Sequence, residues 1–263
     1  MLHYELTDES KINSHGVRLF RIRATRDLPR QRVKAGDLGG WLEPPSGRKP
    51  RLRDAAWVSD EAELFGRASA IGQARIKDHA TVHGKAVING TSLVTGTAAV
   101  SGTAEIRNAV HVAGGHVTDN VWLAGDLTIG PKARIHGSLR LTASGIIDCY
   151  LNSNGFVFNV PHPIEITNEQ HLVTMSPVGS YGSTVSIVRM KNGEPYICHW
   201  PNSWAGNPEK MRKEAEDIVD LTCDRYIDHG EAKFYGHNTT ATSPPSPKPY
   251  PKCGMPQTTN VPT

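Results

Sequence analysis

Residues 54–113 read DAAWVS DEAELF GRASAI GQARIK DHATVH GKAVIN GTSLVT GTAAVS GTAEIR NAVHVA, ten consecutive blocks of six. The first residue of every block is Gly, Asp or Asn, the third is small or Val, and the fifth is aliphatic or Ala, from Val58 through Val112. Positions three and five are two apart, so on extended backbone both side chains point the same way, into a core. Gly, Asp and Asn tolerate tight and left-handed conformations, which places a corner at position one. Charges fall mainly on positions two, four and six, the faces left for solvent. A period of six walks around a 3.6-residue helix, and this much glycine would be costly there. The pattern specifies short strands separated by corners, stacked rung on rung in parallel.

After Ala113 the register slips by one residue around 114–118 and resumes as DNVWLA, GDLTIG, PKARIH, GSLRLT, ending near 142. The hexads resemble those of left-handed β-helix proteins, in which three hexads make one coil. The resemblance implies coils at 54–71, 72–89, 90–107, 108–124 and 125–142. Gly lies two places after the aliphatic residue (Val82-His83-Gly84), where the commonest family motif puts it one after. A right-handed, bactofilin-like helix is therefore the alternative hand.

Outside the repeat, VRLFRIRA alternates, with Phe20 and Ile22 on one face and Arg21 and Arg23 on the other, as in a half-buried strand. KAGDLGGWLE then turns toward Trp41 and Leu42, and the Pro- and Arg-rich EPPSGRKPRLR leads into the repeat. A β-helix needs such a lid over its terminal rung. YELTDES, LFRIRATRDL, VKAGDLGGWLE and the hexads together resemble a group of phage and prophage hexapeptide-repeat proteins across residues 4–142. SPVGSYGSTVSIVRMKNG resembles a small β-rich module that follows the repeats in that group. Strands are expected at IEIT, HLVTMSPV, STVSIVRM and PYICHW, and a helix over 208–226 with Pro208 at its start. Residues 241–263 hold seven prolines and almost no aliphatics, the composition of a disordered tail. The expected organisation is mainly β: an N-terminal β cap (1–53), a left-handed parallel β-helix of hexapeptide repeats (54–148), a small α+β module (149–232) and a Pro-rich tail (233–263).

Lys and Arg number 29 against 26 Asp and Glu, a net charge of +3, so composition alone does not point to nucleic acid and does not exclude it. MLHYELTDESK lacks a signal-peptide pattern and no apolar run reaches membrane-spanning length, which implies a cytoplasmic protein with no membrane partner, in the host cytoplasm if phage-encoded. Cys149, Cys198, Cys223 and Cys253 show no C-x-x-C spacing and read as reduced thiols.

Twelve histidines invite a search for chemistry. Left-handed β-helix enzymes include acyltransferases with a catalytic His and γ-class carbonic anhydrases with three zinc-binding His. His111 and His116 match the spacing of the last two zinc ligands, with His79 or His83 upstream. All four take outward positions where any polar residue serves, and His83 and His116 would lie about two rungs, or ~10 Å, apart. No bound metal or other cofactor is expected. His136 or His83 could act as a general base, yet residues 54–113 carry no projecting loop to shape an acyl-transfer site. The sharper suspect is the basic run of Arg18, Arg21, Arg23, Arg26, Arg30, Arg32 and Lys34, which could meet phosphate through Arg21, Arg23, Arg26, Arg30 and Arg32. The bland reading is the solvated face of an edge strand. GSYGST at 179–184 lacks the Lys of a phosphate loop and reads as a hairpin turn. Asp148 and Cys149 have no sequence-adjacent His. The expected function is a non-catalytic scaffold presenting the cap and the C-terminal module to a protein or small-ligand partner. A hexapeptide-repeat acyltransferase and a nucleotide-binding sponge are the alternatives. A homotrimer is expected by analogy, although outward Trp57, Leu93 and Phe65 are interrupted by Arg75, His111 and His83.

Overall fold

The computed structural model describes residues 2–45, 47, 50–178, 183–200, 204–207 and 209. The helix expected over 208–226, the tail, Cys223 and Cys253 lie outside the described residues, as does the turn at 179–182.

Each hexad of 54–113 forms a strand of two or three residues and a corner, and the strands stack in parallel at a spacing of 18 residues. Trp57 pairs with Arg75, Glu63 with Thr81 and Ser69 with Val87. Three walls result, forming a parallel β-solenoid of about six turns. Position five of each hexad points inward. Val58, Ile76, Val94, Val112 and Ile129 form the first wall's column, Leu64, Val82, Val100 and Val117 the second's, and Ala70, Ile88, Ile106 and Leu123 the third's, all fully buried. Position three supplies the alanines beside them; where Ser92 replaces Ala it is buried too, and its hydroxyl donates to the Asn89 carbonyl at 2.7 Å.

The corners explain the choice at position one. Asp54, Asp60, Asp78 and Asn108 adopt φ near +60°, as do the glycines between them at slightly larger angles. An Asp there does more than turn. Asp54 Oδ2 accepts the Gly72 amide at 3.0 Å, Asp78 Oδ2 the Gly96 amide at 2.9 Å, and Asp119 Oδ2 the Gly137 amide at 2.9 Å. Each carboxylate thus ties its corner to the corner one turn later. Asp78→Ala loses that bond and keeps a strained φ, so it should cost ~1–2 kcal/mol, whereas Asp78→Gly relieves the φ penalty and should cost less. Urea unfolding midpoints of the two variants check the order.

The register slip is absorbed at one corner. Ala99 pairs with His116 and Glu105 with Trp122, a spacing of 17, and the spacing returns to 18 at His116–Arg134. The shortened corner brings Gly115 so close to the next turn that a Cβ there would meet the Gly130 carbonyl oxygen at 2.6 Å. The stacking also does not stop at 142 or 148. A strand at Tyr150–Ile166 pairs in parallel along the whole of Arg134–Ile147, so the last solenoid turn includes Ile164–Ile166, expected above as part of the following module.

Both ends are closed. At the N-terminus β1 (Tyr4–Ile12) and β2 (Arg18–Ala24) form an antiparallel hairpin, and β3 (Leu38–Leu42) pairs antiparallel with β2 and parallel with Glu63–Leu64. β3 is thereby both cap and first rung, with Leu42 fully buried at the head of the second wall's column. The cap also wraps over outward positions of the first turn. Trp57 is 2% and Phe65 4% exposed, the first beside His3 and Ile22, the second packed with Leu19 and Trp41. Expecting these two aromatics on an outer surface was incorrect, because the chain's own cap covers them.

At the other end Leu172–Val178, Ser183–Arg189, Pro195–Trp200 and Trp204–Gly206 form a four-stranded antiparallel sheet. Val188, Met190, Tyr196 and Cys198 join the same core as Ile164 and Ile166. The Lys191 amide donates to the Pro163 carbonyl at 2.7 Å, fastening this sheet to the last turn.

Candidate functional site

The basic run of the cap does not form one cluster. Arg21 is half-buried, donates to Glu61 Oε1 at 2.8 Å and lies 5.0 Å from the Trp41 ring centre. Lys11 sits 4.5 Å from the same ring and reaches Glu63 at 3.0 Å, while the Trp41 indole donates to Glu61 Oε2 at 2.8 Å. Burial works against the Glu61 charge, yet the hydrogen bonds from Arg21 and Trp41 outweigh it and hold its carboxyl below the ordinary value. This is an interlock between cap and solenoid whose cations are already neutralised. Arg23 lies 3.6 Å from Glu5, and Arg26 donates to the Asp54 carbonyl at 3.2 Å.

Arg30 and Arg32 are different. They are exposed, with neither an ion-pair nor a side-chain hydrogen-bond partner among the described residues, and flank Gln31, which is buried. The Gln31 amide nitrogen donates to the carbonyls of Ala55 at 2.9 Å and Gln73 at 3.0 Å, one turn apart. The short 3-10 turn Pro29–Gln31 is therefore pinned into the first two rungs and holds two free guanidinium groups outward. Of the five arginines singled out from the sequence, these two are free to meet an anionic partner.

The three candidate zinc-binding histidines are not brought together. His111 is on the first wall, with Nε2 2.9 Å from Thr95 Oγ1. His116 is on the second wall beside Arg134. His83 is on the second wall too, but two rungs away, stacked on Phe65 with ring centres 4.9 Å apart and 5.0 Å from His15. Among the described residues no three or more His, Cys, Asp or Glu side chains gather as a metal site would require. The pairing of His83 with His15 had no signal in the sequence, because it depends on where the β1–β2 turn lands.

Burial pulls His3, His83, His111 and His116 below the ordinary histidine value. The charges of His15, Lys77 and Arg134 reinforce this for His83, His111 and His116 respectively, while a hydrogen bond to the Ala56 carbonyl opposes it in His3. Between the lowered folded values and ~6.5 the unfolded chain holds more protons, so stability rises with pH there. It is complete above ~6.5 and is lost as pH falls through the folded values. The thermal midpoint should therefore drop from pH 7 to pH 5, and the drop should be shallower in His3→Gln.

Burial, with Asp148 and Glu169 adding to it, pushes the Cys149 thiol up to about 11, and burial pushes Cys198 to about 12. Both are free thiols, buried and protonated at neutral pH, and poor nucleophiles. On the third wall Trp122 faces outward with the Arg140 guanidinium 4.6 Å and the Arg107 guanidinium 6.0 Å from its ring centre. Arg107 is held by Glu105 at 2.6 Å. The signal in the sequence was an outward Trp at position four with Arg140 one turn later. His162, Pro163, Met190, Lys191, Asn192 and Glu194 line an open depression of about 450 Å³ at the junction with the C-terminal sheet.

Among the described residues no helix is long and apolar enough to cross a membrane. Comparison with known protein families and with curated proteins gives no match for this chain.

Proposed function

We propose that the chain is a non-catalytic rigid scaffold of phage or prophage origin that holds a basic turn at one end and a C-terminal module at the other. The observation that carries this is the uninterrupted parallel ladder between two closed ends. About six rungs at ~4.8 Å each set a separation of roughly 30 Å between the terminal modules. A backbone paired on both sides, around side-chain columns with no exposure, resists bending and shear. The finer identity that goes with this reading is a left-handed hexapeptide-repeat coil and a trimeric assembly, which rest on the resemblance of the repeat, together with an α+β C-terminal module, which rests on the strand and helix patterns after the repeat, and a cytoplasmic location. The partner is a protein or small ligand with anionic groups that meets Arg30 and Arg32.

The test is a pull-down with the full chain from lysogenic cells, alongside the variants Arg30→Glu/Arg32→Glu and His111→Ala/His116→Ala. A partner captured by the wild type, retained by the histidine variant and lost by the arginine variant supports the scaffold. Acetyl transfer from acetyl-CoA that disappears with His83→Ala or His136→Ala would overturn it in favour of an acyltransferase. A stoichiometric nucleotide released on denaturation, absorbing at 260 nm, would replace it with a nucleotide sponge.

A further inference from the structure

His15 and His83 are 68 positions apart in the chain and reach each other across the boundary between cap and solenoid, ring centres 5.0 Å apart with an angle of 47° between planes. A zinc ion bonded to one nitrogen of an imidazole at ~2.0–2.1 Å lies roughly 3.2 Å from the ring centre. Two imidazoles on one tetrahedral zinc therefore have centres about 5 Å apart. The observed separation matches that of such a pair, in a cluster where His15 also lies 5.1 Å from the Phe65 ring centre.

The two residues are also placed in advance of any ligand. Asn13, buried in the β1–β2 turn, accepts the amides of His15 and Val17 at 3.0 Å each, and its own amide group donates to Glu63 on the second wall at 2.9 Å. The turn that carries His15 is thus pinned to the same wall that carries His83. The His83 backbone is fixed by its bond to the Val100 carbonyl at 2.9 Å, and its ring lies flat on Phe65 with only 8° between the planes. The His83 ring nitrogens have no protein partner among the described residues, and His15 Nδ1 has only Ser14 at 3.3 Å, on an exposed turn. Neutral imidazoles are the form that binds metal, and burial together with the neighbouring His15 favours the neutral form of His83 at pH 7.

We propose that His15 and His83 form a two-imidazole site for a divalent transition metal of the zinc type, which latches the cap hairpin to the second wall of the solenoid. Two protein nitrogens supply half of a tetrahedral shell and water the other half. The site is consequently exchangeable, its metal is removed by dialysis, and it acts as a clamp whose closure follows free metal. This site is independent of the scaffold reading and of His111 and His116.

The experiment is calorimetric titration of the full chain with zinc chloride at pH 7.5, with thermal melts at increasing zinc. One zinc per chain at micromolar affinity, and a midpoint that rises with zinc concentration, are the expected results. His15→Ala and His83→Ala should each weaken binding by more than about tenfold, since even the outer partners of a metal ligand cost that much, while His111→Ala leaves it unchanged. Binding should also weaken at pH 5.5, because imidazole must be neutral to hold a metal ion. Absence of zinc binding by the wild type, or binding that survives both His15→Ala and His83→Ala, overturns the site. His15 is exposed on a turn, so its variant keeps the fold and decides the matter even where His83→Ala lowers stability.

Discussion

Ile88→Asp should destabilise the protein by several kcal/mol, ~3–5 on the scale of a carboxylate forced into an apolar interior. Ile88 is fully buried in the third wall between Ala70 and Ile106, with its strand paired on both sides. An Asp there has no polar partner within the column and cannot reach solvent without opening two rungs. Lys85→Asp, three residues earlier and exposed, should change stability by less than ~0.5 kcal/mol. Urea unfolding of the two variants side by side is the measurement. Equal midpoints would refute the inward direction of position five.

Arg51→Met should be the next most damaging change, at ~2–4 kcal/mol. Arg51 is 5% exposed at the end of the Pro-rich segment between β3 and the first hexad. Its guanidinium donates to the Glu43 carbonyl at 2.5 Å, to the Glu43 carboxylate at 2.9 Å, to the Pro44 carbonyl at 3.2 Å and to the Gly66 carbonyl. The same carboxylate accepts the Gly66 amide at 2.6 Å. Methionine fills comparable volume but leaves an acid and three carbonyls without their donor. Arg51→Lys restores the charge without the planar fork and should recover only part of the loss. Partial recovery distinguishes geometry from charge; full recovery would show that charge alone is needed.

The solenoid was legible because its signal is repeated in every hexad and each repeat makes the same local demand. Strand direction, the small residue beside each corner and the left-handed corner itself all follow from three positions in six. The cap was legible only as a cap. That β2 carries Leu19 into contact with Phe65, or that Trp57 lies under His3, depends on where a hairpin comes to rest, and no periodicity encodes that. The candidate site divided for the same reason. Seven cations between Arg18 and Lys34 look alike in sequence, and only the positions of Glu61, Trp41 and Gln31 separate Arg21, which is neutralised, from Arg30 and Arg32, which are free. His83 was visible as an outward histidine, but its neighbour His15 belongs to a segment with no repeat to place it. The last turn was missed because Tyr150–Ile166 abandons the hexad pattern while keeping the parallel ladder.

The even spacing of the ladder bears on the order in which the chain can assemble during synthesis. From Trp57–Arg75 to Trp122–Arg140 each rung needs only the residues made 17 or 18 positions earlier. The cap needs little more, since Tyr4 meets Ala24 and Trp41 meets Glu63 within the first quarter of the chain. The N-terminal end can therefore be finished and closed while the rest is still being translated. Each new turn then lands on an edge already in place, and the growing edge is exposed only until the next 18 residues arrive. Parallel sheets elsewhere must wait for distant segments to meet. Here the partner of every strand is the one just made.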